Sequence, residues 1–136
     1  MPEFTGLAHL TLTVTDLKRS FDFYESLLGV QSLFEGEDPT SRYHVTIHPS
    51  NPFILSLRNH DDTGSDSFNE TRVGMDHVAL QVSNRAGMEE WEQRLEELGV
   101  DHSEIKDEYY GSVITFRDPD NIQWEFFCLP DGNATV

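Results

Sequence analysis

Three side chains stand out for the chemistry they could share. His9 and His77 hold matching places in two similar octapeptides, Leu7-Ala8-His9-Leu10-Thr11-Leu12-Thr13-Val14 and Met75-Asp76-His77-Val78-Ala79-Leu80-Gln81-Val82. Glu125 is a carboxylate in the largely apolar terminal run Ile122-Gln123-Trp124-Glu125-Phe126-Phe127-Cys128. Singly, each has an ordinary explanation, since a histidine at a strand start is usually at the surface or hydrogen-bonded and a strand glutamate commonly faces water. Together, two imidazoles and a carboxylate suit one divalent ion (Fe, Zn, Ni, Co or Mn) and leave coordination positions for water or substrate.

The elements that must position this set come in two copies. Each octapeptide alternates apolar and polar residues, the period of a half-buried strand. Leu10, Leu12 and Val14 then share one face with His9, Thr11 and Thr13 on the other; Val78, Leu80 and Val82 likewise oppose His77, Ala79 and Gln81. Asp16 and Asn84 are placed to cap helices in which Leu17, Phe21, Tyr24 and Leu28, then Met88, Trp91, Leu95 and Leu98, recur at helical spacing. Both helices end in Leu-Gly-Val, at Leu28-Gly29-Val30 and Leu98-Gly99-Val100, where glycine suits a left-handed cap. Three strands follow in each half, expected near Val30–Gly36, Arg42–Ile47 and Phe53–Arg58, then near Val100–Glu104, Ser112–Arg117 and Ile122–Cys128. The fold class is therefore α+β: one domain, residues 1–136, of two βαβββ modules at about 5–58 and 74–129. Each module is a curved mixed four-stranded sheet with one helix on its convex face. A polar linker, 59–73, joins them as a loop or as a flap over a site.

The bulk composition narrows the function. Nine Lys and Arg against 25 Asp and Glu give a formal charge of −16. No basic cluster exists to neutralise phosphates, so nucleic acid and anionic membrane surfaces are not expected partners. The acidic, lysine-poor surface suits either a salt-loving host or simply good solvation. No apolar run approaches the roughly 20 residues that span a bilayer, and residues 1–6 do not read as a signal peptide. The lone Cys128 reads as a small buried hydrophobe, which points to the cytoplasm. His44, His48, His60 and His102 match no ligand position and read as surface or turn residues.

The segments Leu7–Leu17, Phe23–Val30, Met75–Val82 and Phe116–Phe126 together resemble the vicinal oxygen chelate superfamily, which includes glyoxalase I, extradiol dioxygenases, and fosfomycin and bleomycin resistance proteins. The resemblance spans about Leu7–Leu129. It implies that His9, His77 and Glu125 bind the metal and that the protein is a homodimer, often with sites shared across the interface. At the family's fourth position, on the last strand of the first module, stands Ser56 or, with a one-residue shift, Leu55; neither is the Glu or Gln that glyoxalase I and another member of the superfamily, methylmalonyl-CoA epimerase, would offer. The expected function is that of a metal-dependent dioxygenase or glyoxalase-like lyase or isomerase, whose small substrate chelates the ion through two neighbouring oxygens. The alternative is a non-catalytic, bleomycin-resistance-like binding protein. Candidate substrate-binding residues are Phe53, Leu55, Ser56 and Arg58 in the first module, and Gln81, Tyr110, Gln123 and Phe127 in the second. No catalytic residue is assigned.

Overall fold

The computed structural model describes residues 1–130. The chain divides into two compact units, Met1–Asp66 and a second that begins at Ser67. The first contains β1 (Leu10–Thr13), α1 (Leu17–Leu28), β2 (Gln31–Asp38), β3 (Ser41–Ile47) and β4 (Ile54–His60). The second contains β5 (Val78–Gln81), α2 (Arg85–Glu97), β6 (Lys106–Glu108), β7 (Gly111–Arg117) and β8 (Gln123–Cys128). Each unit is a βαβββ module. The sheets run β1-β4-β3-β2 and β5-β8-β7-β6, with the β1–β4 and β5–β8 pairs parallel and all others antiparallel.

Local chemistry explains where the helices begin and end. Asp16 and Asn84 sit in extended conformation and accept from the backbone N–H of Arg19 and Gly87, satisfying donors that a helix start leaves open. Gly29 and Gly99 follow the helices with φ of 74° and 65°, the left-handed geometry that glycine adopts without a Cβ penalty. One face of each sheet lies under its helix. Leu12, Leu55 and Leu57 are buried there with Tyr24 and Leu27 in the first unit. In the second, Ile114, Phe116, Trp124 and Phe126 are buried with Met88 and Leu95, and Trp91 of α2 stacks on Phe126 at 4.2 Å. Cys128 is buried in this layer.

Two expectations need correction. The strand expected at Val100–Glu104 is reduced to an isolated bridge between His102 and Phe116, and the regular ladder starts at Lys106. Ser103 accounts for this: its N–H donates to the Thr115 carbonyl, but its hydroxyl oxygen, not a backbone carbonyl, accepts from the Thr115 N–H. Side-chain capture of backbone groups competes with strand pairing, and Glu92 likewise captures the N–H of Ile105. The second correction concerns His44. It is a core residue at 7% exposure, stacked on Phe21 and hydrogen-bonded to Ser32, because its place on β3 puts it on the face covered by α1. His102 is also more than a turn residue: half-buried, it bonds Glu96 of α2 through Nε2 and the Ser103 carbonyl through Nδ1.

Candidate functional site

The second unit builds a site on the sheet face away from α2. The register pairs Ala79 with Glu125, Glu125 with Thr115, Phe127 with Val113, and Val113 with Lys106. These residues alternate with the buried Trp124, Phe126, Ile114 and Phe116, so they must present their side chains to the opposite face. There they line an open concavity of about 570 Å³ together with His77, Glu108 and Tyr110. His77 stands one residue before β5, and its Nε2 lies 3.3 Å from Glu125 Oε2. Tyr110 stacks against Phe127, with ring planes 13° apart, and forms an aromatic wall.

Hydrogen bonds behind His77 decide which ring nitrogen is offered. Asp76 Oδ1 lies 2.7 Å from His77 Nδ1. A carboxylate only accepts, so Nδ1 carries the proton and the Nε2 lone pair points at Glu125. In that tautomer Nε2 and the Glu125 carboxylate are both electron-pair donors turned toward each other. An imidazole nitrogen and a carboxylate oxygen at this spacing are of the kind that could hold a divalent ion. Among the described residues, however, no three His, Cys, Asp or Glu side chains gather around one point.

The first unit places His9 one residue before β1, as His77 stands before β5. It lines a smaller hollow, of about 210 Å³, with Pro52, Phe53 and Ile54. The parallel registers pair Thr11 with Ser56 and Ala79 with Glu125, so Ser56 is the counterpart of Glu125. Leu55 is fully buried on the α1 side and belongs to the core, which removes it from the wall beside His9. Arg58 is already engaged: its Nη1 donates to Asp38 and Ser41, and its guanidinium lies 4.8 Å over the Tyr43 ring. Asp38 is held far below the usual carboxylate range, chiefly by the N–H of Thr40 and the hydroxyl of Ser41, with Arg58 contributing.

Of the remaining candidates, Gln81 lies on the Glu125 face but outside the concavity's lining, and Gln123 is bonded to Asp76 and Arg117. Five lining residues were not among the sequence candidates: Ala79, Lys106, Glu108, Val113 and Thr115. With β6 expected six residues too early, Lys106 and Glu108 had no assigned strand face; Thr115 was readable as the cross-strand neighbour of Glu125. Lys106 places an ammonium at the concavity, and no ion pair engages it among the described residues.

This βαβββ pair with a histidine at each module's entry belongs to a recognised class: residues 6–126 match the Glyoxalase/Bleomycin resistance protein/Dioxygenase superfamily, and the chain is a member of it. It is 30% identical over 125 residues to a trivalent organoarsenical cleaving enzyme of Bacillus sp. (strain MD1), covering 88% of this chain and 71% of that protein. A glyoxylase/bleomycin resistance protein/dioxygenase domain from Frankia sp. EAN1pec superposes with a TM-score of 0.87 at 31% identity, covering 94% of this chain and all of that one. A fosfomycin resistance protein variant from Listeria monocytogenes, crystallised with Mn(II) and 1S,2S-dihydroxypropylphosphonic acid, shares the fold alone. Its TM-score is 0.68 at 22% identity, with 92% of this chain and 93% of that one covered.

Proposed function

We propose that the protein is a metal-dependent enzyme of the glyoxalase and dioxygenase type, acting on a small substrate that carries two neighbouring oxygens. The observation that carries this reading is the His77 Nε2–Glu125 Oε2 pair, 3.3 Å apart at an open concavity, with the His77 Nδ1 proton already committed to Asp76. Catalytic relatives support it, as does the Mn(II) complex of the Listeria protein with a vicinal diol. A divalent ion bound there supplies Lewis acidity toward the substrate oxygens, or redox chemistry if it is iron. His77 and Glu125 hold it, and His9 supplies the third protein ligand from a second copy in a C₂ dimer, the commonest symmetric assembly.

Around the ion the chain's own residues do the rest. Tyr110 and Phe127 exclude water from one side, and the Tyr110 hydroxyl offers a proton donor. Lys106 pairs with an acidic group of the substrate. Ser56 offers a hydroxyl where a carboxylate base would serve an isomerase, which favours lysis or ring cleavage over proton shuffling at carbon. The substrate of the Bacillus relative does not transfer easily: trivalent arsenic prefers soft thiolates, and the single thiol here is Cys128, 1% exposed. That free thiol fits a reducing compartment such as the cytoplasm.

Elemental analysis of protein purified without a metal-affinity tag tests the reading. Near-stoichiometric divalent metal, lost in His77→Ala and Glu125→Gln without loss of fold, is the expected result. The Tyr110–Phe127 wall favours a second reading, a sequestering protein for a planar ligand; metal-free protein that binds bulky aromatics tightly would establish that instead.

A further inference from the structure

Behind His77 a continuous line of hydrogen bonds runs through the second unit to the segment before β5. Asp76 Oδ1, beside His77 Nδ1, also accepts from Gln123 Nε2 at 2.9 Å. Gln123 Oε1 accepts in turn from Arg117 Nη2 at 3.0 Å. Arg117 grips Glu70 through two parallel bonds, of 2.7 and 3.0 Å, and its Nη1 also donates to the Asn121 carbonyl. The polarity is consistent at every step. The amide of Gln123 has one workable orientation, since a flip would turn its NH₂ toward the guanidinium and its oxygen toward the Asp76 carboxylate. Arg117 and Gln123 are also direct cross-strand partners at the ends of β7 and β8, so the backbone register holds the two side chains together.

We infer that Asp76 is a positioning residue for His77, and that Gln123 and the Arg117–Glu70 clamp hold Asp76 in place, so that a residue before β5 sets the geometry of the metal-facing imidazole. The inference rests on the proposed role of His77 but makes a claim of its own: this line of bonds selects the ring tautomer even when no ion is bound. An isolated carboxylate as exposed as Asp76, 61% of whose side chain is open to solvent, would swing among rotamers; the Gln123 amide restrains it. Supporting hydrogen-bond partners of metal-ligating histidines fix ring orientation in this way, and their loss costs ~10–100-fold in metal affinity.

The test uses the metal-free full chain with ¹⁵N-labelled histidine, at roughly pH 8, where imidazole is neutral. Long-range ¹H–¹⁵N correlation spectra, assigned with His77→Gln, report the tautomer. The expected result is an Nδ1–H tautomer for His77 in the native chain and a shift toward Nε2–H in Asp76→Ala. Asp76→Asn, which keeps an acceptor oxygen, should restore much of the native signal. Gln123→Leu and Glu70→Ala should move it in the same direction as Asp76→Ala, by less. In parallel, Co²⁺ affinity measured against a competing chelator should fall ~10-fold or more in Asp76→Ala. A His77 tautomer unchanged in Asp76→Ala overturns the positioning role, and one unchanged in both Gln123→Leu and Glu70→Ala overturns the extended line. Co²⁺ binding that survives His77→Gln would instead sink the metal reading, while the tautomer shift still decides this inference.

Discussion

An imidazole with one proton can offer a lone pair from only one nitrogen, and at His77 the neighbouring Asp76 makes that choice. The same logic of partnered charge governs Glu70. Hydrogen bonds from Arg117 pull its carboxyl down to about 2 from an ordinary 4.5, and Arg117 rises correspondingly. A carboxyl whose folded value is depressed adds stability that is fully present above its unfolded value and is lost as pH falls through its folded one. The Arg117–Glu70 clamp should therefore stabilise the chain above about pH 4.5 and weaken between there and about pH 2. Thermal melts of native protein and Glu70→Gln across this range should show a Tm gap that closes toward the acid end. A gap independent of pH would mean that Glu70 acts through packing alone. At Glu125, substitution by Gln should reduce divalent-ion affinity by more than the ~10–100-fold that loss of a supporting partner brings, as read by chelator competition.

At the scale of elements, the hairpin between β6 and β7 shapes the wall of the concavity. Its two-residue turn, Tyr109-Tyr110, closes on Gly111 paired with Glu108. Gly111 has a φ of 149°, and a Cβ there would run into the Cys128 carbonyl oxygen and the Phe127 ring. Gly111→Ala should thus cost at least about 1–3 kcal/mol, the usual range for forced overpacking, and should displace Phe127 from its stack on Tyr110. Denaturant titration gives the first quantity and near-ultraviolet circular dichroism reports the second; a native-like melt with an unchanged aromatic spectrum would contradict the argument. β6 is tied down further by Asp107, which accepts from Arg85 in the first turn of α2 and from Ser112. Those bonds hold the Asp107 carboxyl below its ordinary value, the Arg85 contribution leading.

On the scale of the whole molecule, the two units each bring one candidate metal-ligating histidine, and the third-ligand proposal assigns His9 to the neighbouring copy. This makes a specific prediction for mixed variants. His9→Gln and Glu125→Gln should each abolish stoichiometric metal binding alone. Dissociated and reassociated together, half of the dimers pair unlike chains, and each such dimer regains one complete site of its two. About a quarter of native metal content should return under C₂ pairing, measurable by elemental analysis after gel filtration. No recovery would put all three ligands in one chain or discard His9. No helix among the described residues is long and apolar enough to cross a membrane.

Much of this was readable from the sequence because it is local. Strand alternation around His9 and His77, the Asp16 and Asn84 caps, and the two Leu-Gly-Val helix ends depend on neighbours within a few residues; the duplicated pattern then pointed to the fold and drew attention to His9, His77 and Glu125, of which the structure brings His77 and Glu125 together. Tertiary structure alone decided what depends on partners far along the chain. Ser103 captures the Thr115 N–H across 12 residues and so moves β6 to Lys106. The β1–β4 register chooses Ser56 over Leu55 as the counterpart of Glu125. His44 becomes a core residue because α1 covers its face. Asp76, Gln123, Arg117 and Glu70 form one line only once the ends of β7 and β8 meet the segment before β5. Propensity and periodicity are short-ranged, whereas a hydrogen bond between distant side chains has no local signature until packing brings its partners together.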